Sequence, residues 1–148
     1  MRTYTLKDFQ KYLDDMRTEL NSARKNGVHS ANQFLMDYGN TLGVFPDEWK
    51  TSINRVSGCS SKVYINAICA NETMYFNGFS DSKLTKGQLA ILINGINGLT
   101  IKNIIFEVEP LLEVFIKASD VRFSLTVNRT NSLGALFEFI KKKTAIYQ

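Results

Sequence analysis

The chain has 148 residues, of which 44% are hydrophobic and 22% are charged, with a formal net charge of +4. This composition is typical of one globular domain, here residues 1–148, and the scattered basic residues argue against nucleic-acid binding. The longest apolar run, residues 89–93, is too short to cross a membrane, and residues 1–25 lack a signal-peptide core. We therefore expect a cytoplasmic protein that binds neither membranes nor nucleic acid.

Two helices are predicted in the first part of the chain. The first should begin after Thr5, which is followed three residues later by a carboxylate as in a capping box, and end near Asn26. The second should begin at Ser30, in a Ser-x-x-Gln capping box, and end at Gly39. A short helical turn is predicted after Pro46.

A change to alternating residue types after residue 61 predicts an antiparallel hairpin. Its first strand places Cys69 on the same apolar face as Val63, so we interpret Cys69 as a packing residue. The turn is predicted at Asn71–Glu72 and the returning strand at Thr73–Phe76. A shorter third strand is predicted at residues 52–56.

The second half of the chain is mainly helical in pattern. One of residues 80–82 should cap the next helix, and Thr100 should cap a short helix that Pro110 ends. Residues 111–127 favour helix over strand, and a last helix is predicted at residues 131–144. Helices that flank a small antiparallel sheet of about three strands make an α+β domain.

Cys59 lies in a loop and belongs to no apolar pattern. Gly58 leaves space beside it, Ser60 and Ser61 offer hydroxyl groups, and Arg55 and Lys62 bring positive charge nearby. Such a setting favours thiolate over thiol, and the thiolate is the nucleophile. Local chemistry alone leaves a reactive and a structural role equally open.

Three blocks in order around this cysteine resemble the SufE family, the sulfur-acceptor proteins of iron–sulfur cluster assembly. The first is the Val-x-Gly-Cys-x-Ser-x-Val-aromatic segment that begins at Val56. The second is Ser80-Asp81 followed by Lys86-Gly87, and the third is Asn128-Arg129 ahead of the last helix. Three ordered blocks are more specific than any one of them.

The resemblance covers about residues 28–143 and leaves residues 1–27 as an additional N-terminal helix. The chain departs from the family's common pattern at four positions. The family commonly has glutamine, aspartate, serine and glycine where this chain has, respectively, Ser60, Phe79, Asn128 and Ser132.

The resemblance implies a protein that takes persulfide sulfur from a cysteine desulfurase onto Cys59 and passes it to a cluster-assembly scaffold, stimulating the desulfurase. Arg129 would then stabilise the thiolate or persulfide. It implies a carrier, monomeric or weakly dimeric, rather than a stand-alone enzyme. The chain would need no metal or cofactor of its own, because pyridoxal phosphate belongs to the desulfurase. Candidate partner contacts are Gly58, Ser60, Ser61, Asp81 and Lys86.

Other interpretations stay open. Asp81 is more readily explained as a helix cap than as an acid. The protein could activate a desulfurase without carrying sulfur. A cluster scaffold is disfavoured, because clusters take about four protein ligands, mostly thiolates, and the chain has two cysteines. A cysteine hydrolase pairing Cys59 with His29 lacks an identifiable orienting residue.

Overall fold

The computed structural model describes residues 3–59, 61–119 and 133–148. Within these ranges, helices pack around an antiparallel hairpin, and the predicted α+β class is confirmed. The elements are α1 (Leu6–Lys25), α2 (Val28–Gly39), a single 3₁₀ turn (Asp47–Trp49), β1 (Val63–Ala70), β2 (Thr73–Ser80), α3 (Lys83–Ile96), α4 (Ile101–Phe106), α5 (Val108–Ser119) and α6 (Leu133–Ala145).

The hairpin has a fixed register, with Val63 opposite Ser80 and Ala70 opposite Thr73. The two turn residues between the strands, Asn71 and Glu72, have φ angles of 51° and 64°. Positive φ at both positions is typical of the tight turns whose twist matches that of the strands. The predicted hairpin and its turn are confirmed, although β2 extends beyond the predicted end at residue 76.

The predicted third strand at residues 52–56 is reduced to one bridge, between Arg55 and Tyr64. The chain turns immediately before it, where the Asn54 N–H donates to the Thr51 carbonyl. Too few extended residues then remain to make a strand. The described part of the sheet therefore has two strands rather than about three.

The core is centred on α3, in which every residue from Gly87 to Ile93 is buried. One side of α3 packs on β2, where a Cβ added to Gly78 would overlap the side chains of Leu89 and Ile93. Another side packs on α2, where a Cβ on Gly87 would overlap the Leu35 carbonyl oxygen. Glycine at both contacts lets the backbones approach more closely than any side chain would permit.

The first two helices have different kinds of start. The Thr5 hydroxyl and the Asp8 carboxylate form the predicted capping box of α1. In contrast, α2 begins at Val28, not at Ser30, because Gly27 with φ 106° turns the chain directly into the helix. The Ser30 hydroxyl instead donates to the carbonyl of Asn26.

Two predicted boundaries in the second half also change. Pro110 does not end α4, which stops at Phe106. Pro110 lies instead in the first turn of α5, where a backbone N–H would have no hydrogen-bond partner within the helix, so proline is tolerated. Ser82 caps α3 by accepting a hydrogen bond from the Thr85 N–H. The helical prediction is confirmed as far as residue 119, and residues 120–127 lie outside the described ranges.

The outer edge of β2 is covered by residues that follow α3. The Asn97 side chain accepts from the Phe76 N–H at 2.7 Å and donates to the Phe76 carbonyl at 3.2 Å. The Met74 N–H donates to Leu99 O, which continues this pairing along the edge. An amide side chain thus replaces a strand residue as the hydrogen-bonding neighbour of β2.

We predict that Gly87→Ala destabilises the protein although alanine is the better helix former. The new methyl group must push α3 away from the α2 backbone, and such overpacking costs about 1–3 kcal/mol of unfolding free energy. Gly43→Ala is the matched control, since no atom lies within 4 Å of a Cβ there. Denaturant unfolding measures both variants; equal stability would contradict the close helix contact.

Candidate functional site

Cys59 lies in a short loop whose two arms are held together by backbone hydrogen bonds. The Val56 N–H donates to Val63 O at 2.9 Å, and the Ile65 N–H donates to Asn54 O at 2.8 Å. Inside this loop, Gly58 has φ 84°, and no atom lies within 4 Å of the place that a Cβ would take. The cysteine therefore lies in a permissive turn on a firmly paired base. We call its described residues, 57–59 and 61–62, the Cys59 loop.

Asp81 closes the loop on the β1 side. Its Oδ1 accepts from the Lys62 N–H at 2.8 Å, and the Asp81 N–H donates to Lys62 O at 3.2 Å. The interpretation of Asp81 as a helix cap is therefore wrong, because Ser82 takes that place. Asp81 instead fixes the point at which the Cys59 loop enters β1.

The thiol of Cys59 is half-buried and packs against the hydrophobic core. Burial raises the pKa of Cys59, and the positive charge of Arg55 opposes this rise. Loss of hydration disfavours the charged thiolate more than the guanidinium favours it. Of the two cations near Cys59 in sequence, Arg55 acts on the thiol, but the expected preference for thiolate is wrong in this conformation because burial outweighs this charge.

An aromatic cluster lies next to the base of the Cys59 loop, on the face of the hairpin that points away from the core. Tyr64 and Phe79, which are paired across the strands, both contact the ring of Phe45, at centroid distances of 6.4 and 6.2 Å respectively. Lys50 lies over Phe79 at 4.1 Å and Arg55 over Tyr64 at 5.5 Å. Phe79, which replaces the family's common aspartate, is thus a structural member of this cluster.

The remaining predicted contact residues are not all brought together. The Ser61 hydroxyl oxygen is buried and has no hydrogen-bond partner among the described residues. Lys86 lies where α3 meets α2, with its Cγ 3.3 Å from the position of a Cβ on Gly39. Ser60 and Arg129 lie outside the described residues, so their predicted roles stay predictions.

The second cysteine and the single histidine of the sequence lie in other elements, β1 and α2 respectively. Cys69 packs against the core as predicted, and it forms no disulfide with Cys59. His29 is exposed in the first turn of α2. In the described ranges, no group of three His, Cys, Asp or Glu residues is placed to hold a metal ion.

Among the helices in the described part of the chain, none combines the length and apolar character needed to span a membrane.

We predict that Arg55→Gln raises the pKa of Cys59 further, because the neighbouring cation is removed while burial is kept. In a Cys69→Ala background, the midpoint of iodoacetamide labelling against pH should move to higher pH. Lys62→Gln is the control, since Lys62 is nearer in sequence but has an exposed side chain. An equal shift in both variants would contradict a specific effect of Arg55.

Comparison with known proteins places these features in a family. Residues 14–144 match the family described as "SufE: Fe-S metabolism associated domain". The match begins within α1, earlier than residue 28, where the motif resemblance starts. A solution structure of a hypothetical protein from Thermus thermophilus has the same fold, with a TM-score of 0.70 and 17% identity, over 91% of this chain and 94% of that one.

Relatives with sequence similarity support the same assignment. An uncharacterized SufE-like protein of Synechocystis is 38% identical over 77% of this chain and 69% of its own length. The cysteine desulfuration protein SufE of Wigglesworthia glossinidia brevipalpis is 32% identical over 74% of each. The sulfur acceptor protein CsdE of Escherichia coli is 29% identical over 72% of this chain and 71% of its own. The family match spans most of the described fold, and the chain belongs to the SufE family of Fe–S metabolism associated domains.

Proposed function

We propose that this protein accepts sulfur from a cysteine desulfurase on Cys59 and passes it to an iron–sulfur cluster scaffold. The observation that carries the proposal is the Cys59 loop itself, a cysteine in a glycine-containing turn on a hydrogen-bonded base. The names of two relatives, a sulfur acceptor protein and a cysteine desulfuration protein, support the same chemistry.

The transfer is a thiolate displacement at sulfur. Cys59 Sγ, once deprotonated, attacks the outer sulfur of a persulfide on the desulfurase. A new S–S bond forms on Cys59 as the S–S bond of the desulfurase breaks, and the desulfurase cysteine leaves as a thiolate. The number of S–S bonds is unchanged, so the step requires no external oxidant or reductant.

The half-buried thiol must become accessible before this reaction. Gly58 has a left-handed backbone, and no atom lies within 4 Å of the place a Cβ would take, and both features favour a change of conformation at this residue. Moving the thiol away from the core would restore its hydration and lower its pKa towards the ordinary value. Docking of the desulfurase would thus both expose and activate Cys59.

The raised pKa of Cys59 also fits a second candidate function, in which the protein activates the desulfurase but carries no sulfur. In that case the loop would act only as a contact surface. A cluster scaffold is less well supported, because Cys59 and Cys69 supply fewer thiolates than a cluster needs. The two leading candidates differ in whether sulfur becomes bound to Cys59.

We predict that incubation with a cysteine desulfurase and cysteine adds the mass of one sulfur atom to the protein. Peptide mapping should place it on Cys59, because Cys69 is a packing residue of β1. Cys59→Ser should abolish the addition and leave the fold intact, whereas Cys69→Ala should lower stability and retain it. Intact mass spectrometry under non-reducing conditions is the measurement.

The same assay separates the two candidates. If Cys59→Ser still stimulates the desulfurase as strongly as the wild-type protein, and the wild-type protein acquires no sulfur, the activator function is correct. Sulfur found mainly on Cys69 would overturn the assignment of the carrier residue.

A further inference from the structure

The three consecutive lysines near the end of α6 have different environments. Lys141 forms an ion pair with Glu109 at 3.0 Å, and Lys142 is exposed. Lys143 is half-buried, and its Nζ donates to Asn54 Oδ1 at 2.6 Å. The three lysines thus do not all extend into solvent. One of them, Lys143, contacts Asn54 in the segment that leads into the Cys59 loop.

Asn54 is a buried junction with only 7% of its surface exposed. Its Nδ2 donates to Trp49 O at 2.8 Å and to Asn66 Oδ1 at 3.3 Å. Its backbone carbonyl accepts from the Ile65 N–H at 2.8 Å, which is one of the two bonds at the base of the Cys59 loop. One residue therefore connects the 3₁₀ turn, β1 and α6.

Lys143 determines which way the Asn54 amide faces. An ammonium group can only donate hydrogen bonds, so the amide oxygen must point towards it. The amide nitrogen then points the other way, and its two hydrogens match the two acceptors, Trp49 O and Asn66 Oδ1. Without Lys143, the buried Asn54 oxygen would lose a charge-assisted partner, and the reversed amide orientation would no longer be excluded.

The lysine is itself held in place. Its neighbour Thr144 is fully buried, and the Thr144 hydroxyl donates to Ile140 O, so the last turn of α6 is anchored to the core. The ammonium group also lies 5.5 Å from the ring centre of Phe139. The contact between Lys143 and Asn54 is therefore built on a fixed part of the helix.

We propose that Lys143 is a positioning residue for Cys59 that acts through Asn54, by holding the arm that leads into the Cys59 loop. This inference rests on the proposed sulfur-acceptor function and adds a residue distant in sequence to that site. Asp81 holds the other arm of the loop at Lys62. The two contacts together fix both ends of the loop, while Gly58 leaves its centre adaptable.

The first test is chemical and needs no desulfurase. In a Cys69→Ala background, Lys143→Met should increase the rate constant for iodoacetamide labelling of Cys59 by about tenfold, because losing a hydrogen bond from a charged donor favours local opening of the arm. The pH midpoint of labelling should also fall, since the thiol becomes better hydrated. Lys142→Met removes the same charge from an exposed position and should behave as wild type.

A double-mutant cycle tests whether Lys143 acts through Asn54. If it does, Asn54→Ser combined with Lys143→Met should label no faster than Asn54→Ser alone. Additive increases in the labelling rate constant would overturn the proposal. It would also be overturned if Lys143→Met, while fully folded, is labelled with the rate constant and pH midpoint of the wild-type protein. Should the Asn54 variants fail to fold, the comparison of Lys143→Met with Lys142→Met decides the question.

The second test uses the desulfurase. Lys143→Met should lower the maximal rate of sulfur acceptance more than it changes the acceptor concentration at half-maximal rate. The reason is that the partly buried ammonium group is bonded to Asn54 within the fold. A change confined to that concentration would overturn the positioning role. If the wild-type protein accepts no sulfur, the proposed function fails, while the labelling experiment still tests the link from Lys143 to Cys59.

Discussion

The close approach of backbones around α3 is the constraint on which the fold depends. Gly87 brings α3 against the carbonyl of Leu35, and Gly78 brings β2 against the opposite side of the same helix. A central helix that is buried on several sides leaves the neighbouring elements little freedom to shift independently. The hairpin turn sets the register of the strands, and this packing holds β2 against α3, so the Cys59 loop enters β1 opposite the end of β2.

The parts of the fold that were predictable are those that local interactions determine. The capping box at Thr5 and the two-residue turn at Asn71–Glu72 each have their causes within a few residues of sequence. The start of α2 was misplaced because a good capping pattern at Ser30 competes with the left-handed glycine at residue 27. Pro110 was misread for a related reason, since proline is compatible both with the end of one helix and with the first turn of the next.

The loop position of the candidate cysteine was predictable, but its environment was not. Cys59 was identified from its loop and from the family resemblance, yet whether a loop thiol is hydrated or packed depends on tertiary contacts. Asp81 was assigned a local role because Asp commonly caps helices, whereas its partner lies across the hairpin at Lys62. The contact of Lys143 with Asn54 joins residues 89 positions apart, and no pattern near either residue indicates it.

The packing of Cys59 against the core has a consequence for oxidative damage. Peroxide reacts with thiolates, and successive oxidation leads from the sulfenic to the irreversible sulfinic and sulfonic acids. Because burial raises the pKa of Cys59, little thiolate is present at neutral pH while the loop is in this conformation. Contact with the core also limits the approach of solutes to the sulfur. In this conformation the loop thereby protects the proposed sulfur-accepting cysteine from a reactant much smaller than any protein partner. Oxidation would then be confined to the time during which the thiol is exposed.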